Sequence, residues 1–381
     1  MVAASSHITA REAVEMHPAF DWFDVARAVA AMLVVAEHAR DLVLLDRSAA
    51  GATAENPLWQ AFYLFTGFGH EAVMVFFVLS GYWIASSVHR RADDPQFWRS
   101  YFADRLSRLW IVLLPALAVG GVCDWIGAVE WRIPIYAGEW NASSLDGATA
   151  DRLNVATVLG NAAFLQSLAV PVLGSNGPLW SLAYEFWYYV WFPALYLSWR
   201  HRRPQWLLIS LVIGAVWPEV AAGFLVWMMG AAIFHIRRSG ILAPGGVAWL
   251  LGSLIALGFC ATASRLGLIA CPLLADLATG ASFAAVIWGL LTNAPSLPSL
   301  FRPVKAYGTN SSYSLYAVHY PPLALGAGST LTGAIAPGGY AAAIFGTACI
   351  LSVGAGWLFS LATERHTAQF RALAVRLVPR G

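Results

Sequence analysis

Charge is scarce in this chain. Of 381 residues only 12% are Asp, Glu, Lys or Arg, about half the ~25% of an ordinary soluble domain. A water-soluble globule needs polar material for its surface, so a cytosolic enzyme and a disordered hub are both excluded. Lysine is rarer still: Lys305 stands alone among 23 basic residues. Arginine offers a planar fork suited to phosphate and carboxylate, although GC-rich coding gives the same bias. The net charge of +2 supplies no field to hold a polyanion, so no nucleic-acid partner is expected. Cys123, Cys260, Cys271 and Cys349 lack metal-type spacing. They read as small packing residues, with a Cys260–Cys271 bridge as the alternative. No Walker loop, dinucleotide glycine fingerprint, HExxH or GxSxG is present.

What is abundant is apolar. Hydrophobic residues make up 59% and the mean hydropathy is +0.61. The fold class is therefore all-α, a polytopic membrane protein. Apolar runs bounded by charge, Pro and Gly give about ten transmembrane helices, over 22–44, 66–88, 106–127, 178–199, 205–218, 221–237, 246–263, 270–292, 308–331 and 339–362. The fifth and sixth are short and hinge at Trp217-Pro218-Glu219. Sixteen basic residues fall on one side of this arrangement. Five (Arg40, Arg47, Arg132, Arg152 and Arg265) fall on the other, which puts both termini in the cytoplasm. The N-terminal segment covers 1–20, the membrane domain 21–370, and 377–381 read as the remnant of a cleaved tag. The first span, flanked by Asp21 and Asp24 and holding Arg27, suits a retained helix rather than a cleaved signal. Residues 95–108, with Phe97, Trp98, Tyr101 and Phe102 interleaved with Arg99, Arg105 and Arg108, suit an amphipathic helix on the cytoplasmic surface. Residues 128–177 form an outer loop whose part near 155–170 is apolar enough to dip back toward the membrane.

Ionisable groups inside a span are costly unless paired or hydrated, so each is a functional candidate. The first span carries Asp24, Arg27, Glu37 and His38. Arg27 and His38 are eleven residues apart, close to three whole turns, and share a face. That face could line a path across the bilayer; a structural ion pair with an interfacial histidine is the alternative. Trp180-Ser181-Leu182-Ala183-Tyr184-Glu185 opens the fourth span and puts Glu185 roughly 10 Å deep, near the depth of His38. A carboxylate beside an imidazole orients it as a general base requires, whereas packing against Trp and Tyr donors is the bland alternative. Ser80-Gly81-Tyr82 permits close helix approach. His319, followed by Tyr320-Pro321-Pro322, is either structural or functional. Arg105 and Arg108, three apart, could grip phosphate, or serve topology and headgroup contact alone.

With these residues in place, the chain resembles the acyltransferase 3 family of integral membrane acyltransferases from about Asp21 to His366. Arg27 through His38 is similar to its Arg-x10-His signature, and Phe77 to Tyr82 to its F-x-x-S-G-F/Y segment. Arg105-Leu106-Ser107-Arg108 is similar to its R-x-x-R, and Trp180 to Glu185 to its W-S-L-x-x-E. Ser312-Tyr313-Ser314-Leu315-Tyr316-Ala317-Val318-His319 is similar to its S-Y-S-L-Y-x-x-H. One departure is Met74, where many members carry Asp; Glu71 lies three residues earlier.

The resemblance implies transfer of an acyl group, usually acetyl, from cytoplasmic acyl-CoA to a hydroxyl of a carbohydrate acceptor. An exopolysaccharide or a lipid-linked sugar is favoured as acceptor, in a bacterial cytoplasmic membrane and without a metal. It implies His38 as catalytic residue, here with Glu185, and donor contacts from Arg27, Arg105, Arg108, Ser80 and Tyr82. Asp24, Trp180, Ser181, Tyr313 and His319 are expected close by. The competing class is a secondary transporter or flippase for an anionic or glycan-like substrate, with Arg, Glu and His as its path. Paired broken helices in two matching halves, the usual transporter hint, are missing.

Overall fold

The structure is a computed structural model. It describes residues 17–377 apart from 141–144, 146, 147, 203 and 241–244. Most of the N-terminal segment, and all of the expected tag remnant 377–381 but its first residue, lie outside the described residues.

Among the described residues there is no strand. The helices are α1 (Ala19–Val43), α2 (Pro57–Phe65), α3 (Gly69–Arg91), α4 (Phe97–Trp125), α5 (Val155–Ala162), α6 (Trp180–His201), α7 (Gln205–Val216) and α8 (Pro218–Ser239). They continue with α9 (Val247–Arg265), α10 (Pro272–Asn293), α11 (Arg302–Asn310), α12 (Ser312–Val318), α13 (Tyr320–Thr330), α14 (Gly339–Ala362) and α15 (Thr367–Leu377). Their ends follow local chemistry. Asn56 and Asn154 cap α2 and α5 by accepting the Leu58 and Thr157 amides at 2.9 Å. Pro218 and Pro272 sit in first turns, where a missing N–H costs nothing. Gly240, at φ +69°, closes α8 in the left-handed conformation.

Among the described residues six helical stretches are long and apolar enough to cross a membrane: Pro57–Arg91, Phe97–Glu130, Pro218–Ser239, Val247–Arg265, Pro272–Asn293 and Gly339–Leu373. The other expected spans depart from that standard for visible reasons. α1 is as long but carries six charged residues, and α6 carries Glu185 among Tyr and Trp. α7 has 12 residues, about 18 Å of helix, short of a ~30 Å hydrocarbon core. The expected surface helix over 95–108 and the third span are one continuous helix of 29 residues. At about 43 Å it outreaches the bilayer, so its aromatic and arginine-rich first turns need no separate element.

The expected ninth span, 308–331, is also corrected: it is three helices, α11 to α13, broken at Ser311 and His319. Ser312 Oγ bonds back to the Gly308 carbonyl at 2.7 Å, which competes with the backbone ladder. Pro321 lies just inside α13 and has no N–H for the Ala317 carbonyl four residues earlier. Asn176 Nδ2 takes that carbonyl instead, at 3.0 Å. Freed backbone in a membrane is tolerated when protein re-satisfies it in this way.

The segment near 155–170, expected to dip back toward the membrane, is anchored in the bundle by one face, while Val155, Val158 and Leu159 on the other are exposed. Phe164 is fully buried and stacks on Phe186 at 4.3 Å, and Trp110 Nε1 donates to the Ala162 carbonyl. Asp124, also fully buried, accepts the Ser175 amide and hydroxyl at 2.8 and 2.6 Å, tying the end of this loop to α4. α3 and α8 cross with backbones nearly touching: a Cβ on Gly81 would run into the Trp227 carbonyl, and one on Gly230 into that of Val78.

Two apolar clusters result. One joins α3, α4, α6, α8 and α10. The other gathers the second half of α1, the side chains of Ile133, Ile135, Tyr136, Trp140 and Leu145, α13 and Ala341 of α14. Phe76 packs against both. The outward faces of α9 and α14 are apolar, with Ile255, Phe259, Ile350 and Leu351 exposed, as lipid contact requires. Cysteines do not fill the core as expected: Cys271 is exposed and the others half-buried, all four unbridged.

Candidate functional site

A cavity of about 380 Å3 opens among α1, α3, α4, α6 and α12. Its α3 wall is a single helical stripe: Val73, Phe76, Phe77, Ser80, Trp83, Ile84 and Ser87 recur at three- and four-residue steps. Four guanidinium groups reach it: Arg27 from α1, Arg90 from α3, and Arg105 and Arg108 from α4. Arg27 faces Asp24 at 3.4 Å, and Asp24 also accepts the Thr309 hydroxyl at 2.8 Å. Arg105 lies 5.7 Å from the centre of the Tyr101 ring, and its Nε is buried with no partner among the described residues. Arg108 is exposed at the rim.

Glu185 also faces this cavity, at the end of a directed chain. Trp227 Nε1 donates to Ser80 Oγ at 3.2 Å, Ser80 to the Tyr189 hydroxyl at 3.4 Å, and Tyr189 to Glu185 Oε1. A run of donors pointing one way must end on an acceptor, and the carboxylate is that acceptor.

The far wall is closed by Tyr316. Its hydroxyl donates to the Pro178 carbonyl at 2.8 Å and lies 2.5 Å from Ser181 Oγ, while its ring meets Phe76 edge-on at 5.8 Å. Beyond this wall stands a histidine pair. His38 Nδ1 lies 2.9 Å from His319 Nε2, and the rings stack at 5.1 Å with 21° between planes. His319 Nδ1 faces the carbonyls of Tyr316 and Leu315 at 2.9 and 3.1 Å. Carbonyls only accept, so Nδ1 of His319 carries its proton and Nε2 is a lone pair. His38 must then donate from Nδ1, which leaves Nε2 of the neutral ring as a base. His319 is buried, and His38 is partly exposed.

The expected residues thus divide. Arg27, Arg105, Arg108, Ser80, Asp24, Ser181, Tyr313 and Glu185 line the cavity. Tyr82 does not: it is buried against Phe23 and Trp83, and its hydroxyl accepts from Arg237 at 2.9 Å. Trp180 packs on Phe77 and Tyr184 outside the lining. The expected His38–Glu185 pair is replaced by two pairs, His38 with His319 and Glu185 with Tyr189. Similar depth fixed neither azimuth nor neighbour. Met74 is buried in the core, and Glu71 accepts the Ser264 hydroxyl at 2.7 Å away from the cavity. Arg90, Tyr189 and Tyr316 were missed as lining residues. The stripe from Val73 to Ser87 and the four-residue step from Glu185 to Tyr189 carried that information. Among the described residues no three potential metal ligands converge.

Fold and cavity together define an all-helical integral membrane protein with an internal, arginine-rich site. The acyltransferase 3 family model, described as an acyltransferase domain, matches residues 20–361, and the chain belongs to that family. It is also similar to acyltransferase MdmB of Streptomyces mycarofaciens, 30% identical over 166 residues, which is 43% of this chain and 38% of that protein. No solved structure matches the chain.

Proposed function

We propose that the protein is an acyl-CoA-dependent O-acyltransferase that moves an acyl group, acetyl in the first instance, to a hydroxyl of a carbohydrate. The observation that carries this is the four-arginine cavity. Phosphates of a coenzyme A thioester match guanidinium forks, and Phe77, Ile84, Leu109 and Leu182 supply apolar wall for its arm. Its volume is at the small end of the ~300–1,000 Å3 of ligand sites, so part of the donor would rest outside, against exposed Arg108. Arg105 Nε, buried without a partner among the described residues, is the donor most in need of an anion.

His38 is the general base in this reading. Its Nε2 takes the proton of the acceptor hydroxyl as that oxygen attacks the thioester carbonyl. The C–S bond breaks, and the imidazolium returns the proton to the departing thiolate. His319 holds the ring in the required tautomer. The thioester end must pass Phe76 and Tyr316 to reach this base. Ten spans, counting the polar α1 and α6, the short α7 and the broken α11–α13 segment, complete the topology. Both termini then lie in the cytoplasm of a bacterial cell, with the acceptor, an exopolysaccharide or lipid-linked sugar, on the far side.

Detergent-purified protein incubated with radiolabelled acetyl-CoA tests the reading. Saturable binding with slow release of labelled acetate, suppressed by Arg105→Gln, supports it. No binding at millimolar acetyl-CoA overturns it.

A further inference from the structure

The side of the molecule opposite the termini is poor in positive charge: its basic residues are Arg40, Arg47, Arg132, Arg152 and Arg265. Three of these five, from the end of α1, the loop after it and the end of α9, meet in one place. Arg40, Arg47 and Arg265 line a second cavity of about 470 Å3 with Asp46, Ser48 and Tyr63. Residues more than two hundred positions apart have been brought together there, in a chain with little charge to spend.

The three guanidinium groups are not equivalent. Arg40 is buried; it donates to the Thr66 carbonyl and to Asp41 at 3.0 Å each, with Glu37 at 3.8 Å. Its charge is answered, and it forms the back wall. Arg47 and Arg265 are exposed and form no ion pair among the described residues. Arg265 lies directly on Gly67, where a Cβ would collide with its guanidinium. The Tyr63 hydroxyl is spent on the Leu45 carbonyl at 2.6 Å, which fixes the loop that carries Arg47. Asp46 is the one acid in the lining. Two open forks on a fixed frame are the arrangement that binds an oxyanion with paired N–H···O contacts.

We infer that this outer pocket binds an oxyanion, phosphate or carboxylate, carried by the carbohydrate acceptor. The assignment rests on the acyltransferase reading and its sidedness. Arg40 follows His38 by two residues, about 3 Å along the axis and some 200° around it, so the pocket opens on the face of α1 turned away from the histidine pair, at a similar depth. Its occupant is therefore a charged group on a part of the acceptor well removed from the reacting hydroxyl, reached around the outer end of α1. Such remote contacts hold an acceptor in register with the base.

The test uses protein in nanodiscs of phosphatidylcholine alone, with inorganic pyrophosphate and glucuronate as probes in calorimetry. At least one probe binds the parent chain. The double variant Arg47→Gln/Arg265→Gln lowers that affinity at least tenfold, and Gly67→Ala, which displaces Arg265 without removing its charge, at least threefold. Pyrophosphate binding alone points to a phosphate-linked sugar, and glucuronate binding alone to an acidic glycan; either supports the pocket. Binding of neither probe, or binding unchanged in the double variant, overturns it. So does loss of probe binding when one third of the lipid is phosphatidylglycerol, because the occupant is then a lipid headgroup. Coenzyme A binding by the same proteins reports the inner cavity independently, and it stays at the parent value in both variants. Failure of the donor reading is thereby separated from failure of this one.

Discussion

His319 Nε2 sits 2.9 Å from His38 Nδ1, and the opposite nitrogen of His319 is held by two backbone carbonyls. The arrangement fixes which nitrogen of each ring bears a proton, from the fold alone. It depends on the break between α12 and α13: His319 is the hinge residue, and it caps the very turn whose carbonyls orient it.

Replacing either histidine separates base from positioning. His38→Ala lowers turnover by about 10²–10⁴-fold, the usual contribution of a general base. His319→Leu removes the acceptor for Nδ1–H and lets the ring turn, so turnover falls at least tenfold. His319→Gln, whose amide oxygen can still accept, recovers part of that loss. Steady-state kinetics should show an unchanged KM for acyl-CoA in all three. A raised KM with normal turnover would mean the pair binds donor instead.

Glu185 carries a different expectation from the one its depth suggested. It shares the cavity with Arg27, Arg90, Arg105 and Arg108 and takes the Tyr189 hydroxyl. Glu185→Gln keeps an acceptor for Tyr189 but removes a negative charge from a site for a polyanion, so coenzyme A binds about two- to fivefold more tightly. The effect shrinks with salt, as screening requires. Glu185→Ala leaves Tyr189 without its acceptor and costs about 1–3 kcal/mol of stability. Titration calorimetry at two ionic strengths, with thermal unfolding, checks both. Weaker coenzyme A binding by Glu185→Gln would contradict the assignment.

Asn176 is predicted to matter for stability and not for chemistry. Its Nδ2 is the donor that replaces the N–H Pro321 lacks, on a fully buried carbonyl of Ala317. Asn176→Ala strands that carbonyl and costs about 1–3 kcal/mol. Asn176→Leu costs at least as much, since bulk cannot substitute for a donor. Thermal unfolding in detergent measures the loss, and donor affinity in the folded fraction stays at the parent value.

The sequence made the ends of most helices legible because Pro, Gly and charge punctuate them, as at Pro218 and Pro272. The α3 wall of the cavity carries a stripe of fixed period in the sequence, yet Tyr82, off that stripe, was expected at the site and Arg90, at its end, was not. Contacts between distant segments were not legible. Nothing local says that residue 38 meets residue 319, or that Arg47 and Arg265 line one pocket. Depth along a helix gave His38 and Glu185 a common level, yet rotation about the axis, set by tertiary packing, gave them different neighbours. Tyr82 illustrates the same limit: two residues past Ser80, it lies on another face and answers Arg237.

The last prediction concerns Tyr316, which closes the cavity on the side of the histidines. Its hydroxyl is fastened to Pro178 and Ser181 at the start of α6, and its ring abuts Phe76, the side chain that touches both apolar clusters. If the thioester reaches His38 by this route, the fastening keeps acceptor-side water from the donor until the ring moves. Tyr316→Phe removes both hydrogen bonds and keeps the ring. Ser181 Oγ, already 3.4 Å from the Pro178 carbonyl, can take over part of that bond, so the fold survives. The expected result is acetyl-CoA hydrolysis without acceptor raised at least threefold, with transfer to acceptor changed less. Phe76→Ala, which opens the same wall from α3, acts in the same direction. Hydrolysis that stays at the parent rate in both variants, in protein that still binds coenzyme A, would place the donor's path elsewhere. The wall would then be packing between the two clusters.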